Sequence, residues 1–437
     1  MNRNRSRTTG ACTLIALLGT VAAVGLAGPG AAAAAPHHSS PSSPSATKHA
    51  PTPDPWPDWN YNGAATSYNG SEHTLRPVTV GKIVKKWEVP AYSGDRAAVP
   101  PIGVRGGTLF EANPTTVRAY SMASGRHVRT FTVKRGATAI VPPAFDGSRM
   151  ITTTGPDLVA INLSNGKVDW KVPEVHTSSV SNQWSSLTVS GSTVFAVLET
   201  QSFSPSYTDS DQLEAFSLTT GQLLWSAADA YGPIAVGGGM VYVPASGVVI
   251  ETAGPREEPS VDVEIHAYNE ATGVLAWEFS LTDNPYITGV SYSDSTVFVT
   301  ANSTDNAASD IYALDAAAGT VRWAHAEPHA SGGPDGSFIV TDGKRVVYIT
   351  NPGRLVALSI ASGHVLWRRA ASEFFDHVVG ADGVIYADTA SNHVRAFRLS
   401  DGQTLWTSQA TRLGPVLVAD GRLLVDNKTH YVAYGER

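Results

Sequence analysis

Six segments of the chain share one pattern, in which an Ala is followed six residues later by Gly and ten residues later by Trp. Apolar and polar residues alternate before each Gly, as in a half-buried β-strand. The Gly and the small residues before it predict a tight turn with positive φ, and the next strand carries the Trp. The six segments are AINLSNGKVDW (160–170), AFSLTTGQLLW (215–225), AYNEATGVLAW (267–277), ALDAAAGTVRW (313–323), ALSIASGHVLW (357–367) and AFRLSDGQTLW (396–406).

Two further units are incomplete. Residues 119–129 (AYSMASGRHVR) keep the Ala and the Gly but have Arg129 where Trp belongs. The last unit starts at Ala433 and stops at Arg437, before its Gly and Trp, although a Trp with similar flanks, Trp87, is available near the other end. A second hairpin signal, such as Asp382-Gly383, lies between successive units. Each unit is therefore predicted to form two hairpins, or four antiparallel strands.

Eight four-stranded units at this spacing are typical of a β-propeller. The sequence thus predicts an all-β, eight-bladed propeller of four-stranded antiparallel blades. A solenoid is the alternative, but solenoids need atypical capping repeats at both ends. Here the chain end lacks one strand and the segment around Trp87 supplies it, so we expect pairing near Val432 to close a ring.

The repeated Trp residues are predicted to be structural. A Trp side chain buries about 150–250 Å², which is enough to dock one blade on the next. The predicted blade-docking residues are Trp87, Trp170, Trp225, Trp277, Trp323, Trp367 and Trp406.

The N-terminal 35 residues predict a signal peptide, because Arg3, Arg5 and Arg7 precede the apolar stretch 11–29 and an Ala tract follows it. A retained membrane anchor is the alternative. Residues 36–55 are a Pro- and Ser-rich linker that is predicted to be disordered. Residues 56–82 form a lead-in, and residues 83–437 form the propeller. These features predict a secreted, extracellular or cell-envelope protein with no transmembrane segment after cleavage.

The composition and the absence of known motifs exclude several classes of function. A net charge of −7 gives no electrostatic footprint for nucleic acid. The single cysteine, Cys12, lies within the leader, so disulfide and thiol chemistry are excluded from the mature chain. The sequence also lacks a nucleophile elbow, a zinc-binding HExxH, a P-loop and a GxGxxG motif.

The repeat resembles that of the pyrroloquinoline quinone (PQQ)-like propeller family, and ALDAAAGTVRW is close to the family consensus. The family includes an outer-membrane assembly lipoprotein, which has no quinone, and quinoprotein alcohol dehydrogenases, whose entry segment the lead-in also resembles. The resemblance implies the fold and leaves the cofactor open. We expect a non-catalytic binding or assembly scaffold and predict no cofactor and no metal site. The alternative is a PQQ- and Ca²⁺-dependent dehydrogenase of alcohols or sugars, in which Trp184 would lie beneath the quinone. The adjacent cysteines of those enzymes are missing here.

The predicted working face carries the loops that lead into the innermost strands. Blades 3 to 5 also have long, acidic insertions on this face, which suit a cationic partner or a weak Ca²⁺ site. We expect an unknown small molecule, peptide or protein to bind there to a monomeric propeller. The candidate ligand-binding residues around the central funnel are Arg96, Arg135, Trp184, Tyr231, Tyr286, His329, Phe375, Asp376 and Arg412.

Overall fold

The repeats fold into eight four-stranded antiparallel sheets, so the predicted eight-bladed all-β propeller is confirmed. The structure is a computed structural model. It describes residues 56–58, 60–91, 102–112, 116–132, 141–154, 157–173, 180–202, 211–250, 260–281, 286–302, 308–328, 338–350, 353–369, 375–389, 391–409, 414 and 416–437. The predicted signal peptide and linker lie outside these residues.

The first strands of the described chain belong to the lead-in and to the ring closure. They are β1 (Tyr68–Asn69) and β2 (Val84–Pro90), and a short 3₁₀ turn at Val80–Lys82 separates them.

The first four blades follow in chain order, and in each blade the first strand is innermost and the fourth is outermost. Blade 1 comprises β3 (Ile102–Arg105), β4 (Thr108–Ala112), β5 (Thr116–Ser121) and β6 (His127–Thr132). Blade 2 comprises β7 (Ala144–Asp146), β8 (Arg149–Thr154), β9 (Asp157–Asn162) and β10 (Val168–Val172). Blade 3 comprises β11 (Val180–Ser190), β12 (Thr193–Ser202), β13 (Gln212–Ser217) and β14 (Leu223–Ala228). Blade 4 comprises β15 (Ala235–Gly237), β16 (Met240–Ile250), β17 (Ser260–Asn269) and β18 (Leu275–Leu281).

The remaining blades have the same plan, except that the outermost strand of the eighth blade is β2, which precedes blade 1 in the chain. Blade 5 comprises β19 (Tyr286–Ser293), β20 (Thr296–Asn302), β21 (Ala308–Asp315) and β22 (Val321–Pro328). Blade 6 comprises β23 (Ile339–Thr341), β24 (Arg345–Thr350), β25 (Arg354–Ser359) and β26 (Val365–Arg369). Blade 7 comprises β27 (Phe375–Ala381), β28 (Val384–Thr389), β29 (Val394–Arg398) and β30 (Thr404–Thr407), and β1 pairs in parallel with β27. Blade 8 comprises β31 (Val416–Ala419), β32 (Arg422–Asp426), β33 (His430–Gly435) and β2.

In seven of the eight blades the repeat Ala and Trp are cross-strand partners, and in blade 1 Ala119 pairs with Arg129. In blade 3, Ala215 pairs with Trp225, and the register then shifts so that Phe216 pairs with Leu223. The same bulge follows the repeat Ala in every blade. All eight repeat Ala residues are fully buried. Because a β-bulge re-aims the side chains beside it, we infer that the bulge turns each outer-strand Trp toward the next blade.

Six of the repeat Trp side chains dock on the Gly of the following blade. The indole Nε1 of Trp170 donates a hydrogen bond of 2.8 Å to the Leu218 carbonyl, and its ring lies against Gly221. A Cβ on Gly221 would come within 2.7 Å of this ring. Equivalent contacts are made by Trp87, Trp225, Trp277, Trp323 and Trp367.

Two joints of the ring depart from this scheme. Between blades 1 and 2, Arg129 donates hydrogen bonds to the carbonyls of Leu163 and Ser164, and the ring of Phe131 covers Gly166. Two residues thus share the contacts that a Trp makes elsewhere. Between blades 7 and 8, Trp406 packs edge to face against Tyr434, with ring centroids 5.2 Å apart.

Candidate binding cavity

The lead-in follows the inside of the ring. Residues 56–58 and 60–72, here called the inner strap, contact the innermost strands of all eight blades in chain order. The contacts, from blade 1 to blade 8, are Trp56 with Val104, Pro57 with Phe145, Asp58 with Thr188, Gly63 with Val236, Ala64 with Tyr292, Thr66 with Thr341, Ser67 with Gly380 and Asn69 with Val418.

Most of these contacts satisfy the free edge of an innermost strand. The backbone N–H groups of Phe145, Val236 and Tyr292 donate to strap carbonyls at 2.7, 2.6 and 2.9 Å. Buried backbone donors need a partner, and an edge strand has no neighbouring strand on one side. The contacts lie toward the C-terminal ends of the innermost strands, so the strap lines that end of the central channel.

A buried carboxylate anchors the far end of the strap. Glu72 is fully buried, and its oxygens accept hydrogen bonds from the backbone N–H groups of Thr74, Leu75 and Gly421. Gly421 lies in the β31–β32 turn of blade 8, so this contact attaches the strap to the last blade. Carboxylates that accept backbone N–H bonds form strong, charge-assisted hydrogen bonds.

The strap forms one side of a cavity of about 430 Å³ inside the ring. Strap residues on this side are Asp58, Asn60, Asn62 and Ala65. The other lining residues belong to innermost strands, to segments that lead into them, or to β12: Val141, Pro142, Ser185, Ser186, Leu187, Thr188, Glu199, Gly232, Pro233, Ile234, Thr288 and Phe338. A concave site with apolar walls and a few convergent polar groups is typical of ligand-binding sites.

Carboxylate, amide and hydroxyl side chains form the polar part of the cavity lining. Asp58 is 8% exposed, and its Oδ2 accepts a hydrogen bond of 2.5 Å from the Thr188 hydroxyl. Glu199 accepts a hydrogen bond of 3.2 Å from the Gln183 amide. The buried Oγ of Ser185 has no hydrogen-bond partner in the part of the chain that the structure describes. The described lining residues include two carboxylates and no Lys, Arg or His.

The predicted funnel residues occupy several different environments. Trp184 is 3% exposed and packs edge to face against Phe216, while Phe375 is 3% exposed and packs against Phe397. Tyr231 is half-buried, and burial together with nearby Asp211 raises the pKa of its phenol to about 12. Trp184 and Tyr231 each precede a lining residue in the chain. For Tyr286 and Asp376 only the backbone positions in β19 and β27 are described. Arg96, Arg135, His329 and Arg412 lie outside the described residues.

The strap residues Asp58, Asn60 and Asn62 were missed by sequence reasoning. Their segment, WPDWNYNGAATSYNG, has neither the alternation of a strand nor the spacing of a helix. The only available signal was the high content of Asn and Asp immediately before the first repeat.

A second polar cluster lies on the outer half of blade 4. Glu264, His266 and Glu278 bring their ligand-capable atoms within 4.8 Å of one another, and within the described part of the chain no other group of three does so. Both ring nitrogens of His266 already have partners, since Nδ1 lies 2.9 Å from the Tyr268 hydroxyl and Nε2 lies 2.8 Å from Glu264. The cluster is therefore satisfied as a hydrogen-bond network. Among the predicted insertion residues, Asp211 accepts a backbone hydrogen bond from Thr200.

Comparison with known proteins places this architecture among PQQ-like propellers. The profile of the family described as outer membrane protein assembly factor BamB matches residues 113–254, 260–326 and 307–436. An outer membrane protein assembly factor BamB from Yersinia pestis is 25% identical over 309 residues, which cover 66% of this chain and 72% of that protein.

Two solved structures share the fold. BamB from Moraxella catarrhalis has a TM-score of 0.56 at 14% identity, and the match covers 81% of this chain and 99% of that one. Quinohemoprotein alcohol dehydrogenase from Comamonas testosteroni has a TM-score of 0.63 at 11% identity, with coverage of 87% and 80%. In the part of the chain that the structure describes, no helix has the length and apolar character needed to cross a membrane.

Proposed function

Because the chain belongs to the outer membrane protein assembly factor BamB family of PQQ-like propellers, we propose that it is a non-catalytic binding scaffold of the cell envelope or extracellular space. The observation that carries this proposal is the central cavity, in which the inner strap forms one side and the blades form the others. We propose that a small molecule or a segment of a partner protein binds there. The predicted export signal and the relatives named as outer membrane assembly factors support the location.

The ring is suited to a scaffold because its two ends pair with each other and its innermost strands all contact the strap. Pairing of β2 with β33 closes the circle, and the strap attaches to every innermost strand. A site on such a framework is organised before its ligand arrives, which reduces the entropic cost of binding.

The quinoprotein alternative fits the described cavity poorly. PQQ carries carboxylate groups of its own, whereas Asp58 and Glu199 line the cavity and no described lining residue is basic. In the absence of a bridging cation, placing further carboxylates beside these two would be electrostatically unfavourable. Trp184, the candidate for the quinone-facing ring, is packed against Phe216. We therefore propose that no quinone binds in this cavity.

An occluding substitution tests the proposal. Ile234→Trp would fill the cavity from the blade 4 side, and Leu366→Trp places the same side chain at an exposed position on β26 as a control. Proteins and small molecules retained from an envelope extract would be identified and then titrated individually against each purified variant. We expect the wild type and Leu366→Trp to bind a common ligand and Ile234→Trp to lose it at a temperature at which all three proteins are folded. Because Ile234 is only 4% exposed, the larger side chain is also expected to lower the melting temperature. Equal binding by all three would contradict the cavity as the site.

Reconstitution with PQQ and Ca²⁺ tests the alternative. We expect no quinone absorbance on the purified protein and no dye reduction with alcohols or sugars. Cofactor-dependent dye reduction that Ile234→Trp abolishes would overturn the scaffold proposal.

A further inference from the structure

We propose that the central cavity recognises an alkylammonium group, carried either by a free amine or by a lysine side chain of a partner peptide. The inference rests on the proposed function, since it specifies the ligand chemistry of the same cavity. Three features of the cavity support it: its charge, its hydrogen-bonding groups and its apolar walls.

The charge of the cavity favours a cation. Asp58 lies on the strap side and Glu199 lies on β12, and the described lining residues contribute no positive side chain. A carboxylate sheltered from water interacts with an opposite charge more strongly than one at the surface, because the local dielectric is lower. An anionic ligand would meet repulsion from the same two groups.

The hydrogen-bonding groups favour a donor. An ammonium group has three N–H donors and no acceptor, so it needs a site rich in oxygen acceptors. Besides the two carboxylates, Asn60, Asn62 and Ser185 line the cavity, and each has a side-chain oxygen that can accept a hydrogen bond. The Asn62 Oδ1 already accepts one from the Thr66 backbone N–H at 3.2 Å. The Ser185 hydroxyl is buried without a hydrogen-bond partner among the described residues, so a bound donor would satisfy it.

The remaining wall suits an alkyl chain. Val141, Leu187, Ile234 and Phe338 line the cavity together with the polar groups. A ligand with an apolar stem and a charged head would bury the stem against these side chains and direct the head toward the carboxylates. A small inorganic cation would leave this apolar surface unused.

A matched pair of probes tests the proposal with the full chain. Hexylamine and 1-hexanol have the same chain length and differ in the charge of the head group, and their binding would be measured by calorimetry and by protein NMR shifts. We expect hexylamine to bind at least about tenfold more tightly than 1-hexanol, because hydrogen bonds between charged groups are roughly twice as strong as neutral ones. Equal binding of the two probes would contradict the proposal.

Two substitutions test whether a preference for hexylamine over 1-hexanol depends on Asp58 and Glu199. Glu199→Gln and Asp58→Asn keep the side-chain size and are each expected to weaken hexylamine binding by about tenfold or more, with little effect on 1-hexanol. Asp401→Asn, at an exposed carboxylate on the blade 7 turn, is the control and should leave both affinities unchanged. Asp58→Asn also alters the hydrogen bond between the strap and Thr188, so the effect of Glu199→Gln on hexylamine binding decides the test if Asp58→Asn destabilises the strap. An unchanged preference in Glu199→Gln would overturn the assignment.

A further experiment with peptides distinguishes a partner protein from a free amine as the source of the ammonium group. A pentapeptide with a central lysine would be compared with the same peptide carrying acetyl-lysine, which removes the charge. Tighter binding of the lysine peptide than of hexylamine indicates a protein ligand, and the reverse order indicates a free amine. If Ile234→Trp abolishes capture of the natural ligand but hexylamine shows no preference over 1-hexanol, the ligand class is wrong and the cavity function stands. If Ile234→Trp changes nothing, the proposed function itself fails.

Discussion

Trp87 pairs with Ala433 in the eighth blade, although the two residues lie at opposite ends of the propeller sequence. The same Trp87 donates an indole hydrogen bond of 2.9 Å to the Met122 carbonyl and lies against Gly125 in blade 1. One residue therefore completes the last sheet and docks it on the first. This double role makes the repeat a closed ring rather than an open stack.

The repeat Gly is expected to be intolerant of any side chain. Gly221 has a φ of +69°, and a Cβ there would meet the Trp170 ring at 2.7 Å. Gly221→Ala combines backbone strain with a steric clash and should reduce the free energy of unfolding by about 2–4 kcal/mol. Denaturant unfolding followed by tryptophan fluorescence would measure the change.

Gly191→Ala provides the matched control for this substitution. Gly191 also has positive φ, +55°, but a Cβ at this position would have no neighbouring atom within 4 Å. Only the backbone strain of about 1–2 kcal/mol remains there. Equal destabilisation by the two substitutions would mean that the contact with Trp170 contributes nothing.

Arg129 is expected to be a structural residue in spite of its charge. It donates hydrogen bonds of 3.2 and 3.0 Å to the carbonyls of Leu163 and Ser164, and its guanidinium lies 5.4 Å from the centre of the Phe131 ring. Arg129→Ala should cost about 1–3 kcal/mol of unfolding free energy, since it removes charged donors from the joint between blades 1 and 2. Arg126→Ala, on the preceding turn, is the control. A loss no greater than that of the control would contradict this assignment.

We expect the contact of Glu327 in blade 5 with Arg368 in blade 6 to be weakened by acid, which would lower the free energy of unfolding. Burial disfavours the charged form of this carboxyl, but hydrogen bonds from Arg368 and His325 outweigh burial and lower its pKa below the usual 4.5. A lowered folded-state pKa stabilises the fold above the unfolded-state pKa, and this contribution is lost as the pH falls through the folded-state value.

The corresponding measurement is the unfolding free energy of wild type and Glu327→Gln between pH 7 and pH 3. We expect the variant to be less stable at pH 7 by about 1–3 kcal/mol and to lose less stability on acidification. Glu88→Gln removes an exposed pair with Lys85 and should change the pH profile little. Parallel profiles for wild type and Glu327→Gln would refute the assigned role of Glu327.

The blades could be predicted from the sequence because their chemistry repeats. The Ala is buried, the Gly allows the tight turn, and the Trp docks the blade on the next one. All three recur at fixed spacing, so the eight-bladed architecture follows. The strap could not be predicted, because its contacts are mostly backbone hydrogen bonds that any residue type can make. Asp58 therefore carries no local sign of its place beside Thr188. The environment of Trp184 was equally hidden, since a Trp on an innermost strand fits both an exposed ring and a buried one.

The most direct test of the closed ring is a disulfide between its two ends. Glu88 and Val432 are paired in β2 and β33, at a separation that suits a disulfide, and Cys12 is the only native cysteine. In a Cys12→Ser background, Glu88→Cys with Val432→Cys should oxidise readily, migrate as a crosslinked species without reductant and melt at a higher temperature. The pair Glu88→Cys with Asp401→Cys should stay reduced. Two free thiols in folded Glu88→Cys/Val432→Cys protein would show that the ends do not pair and would contradict the closed propeller.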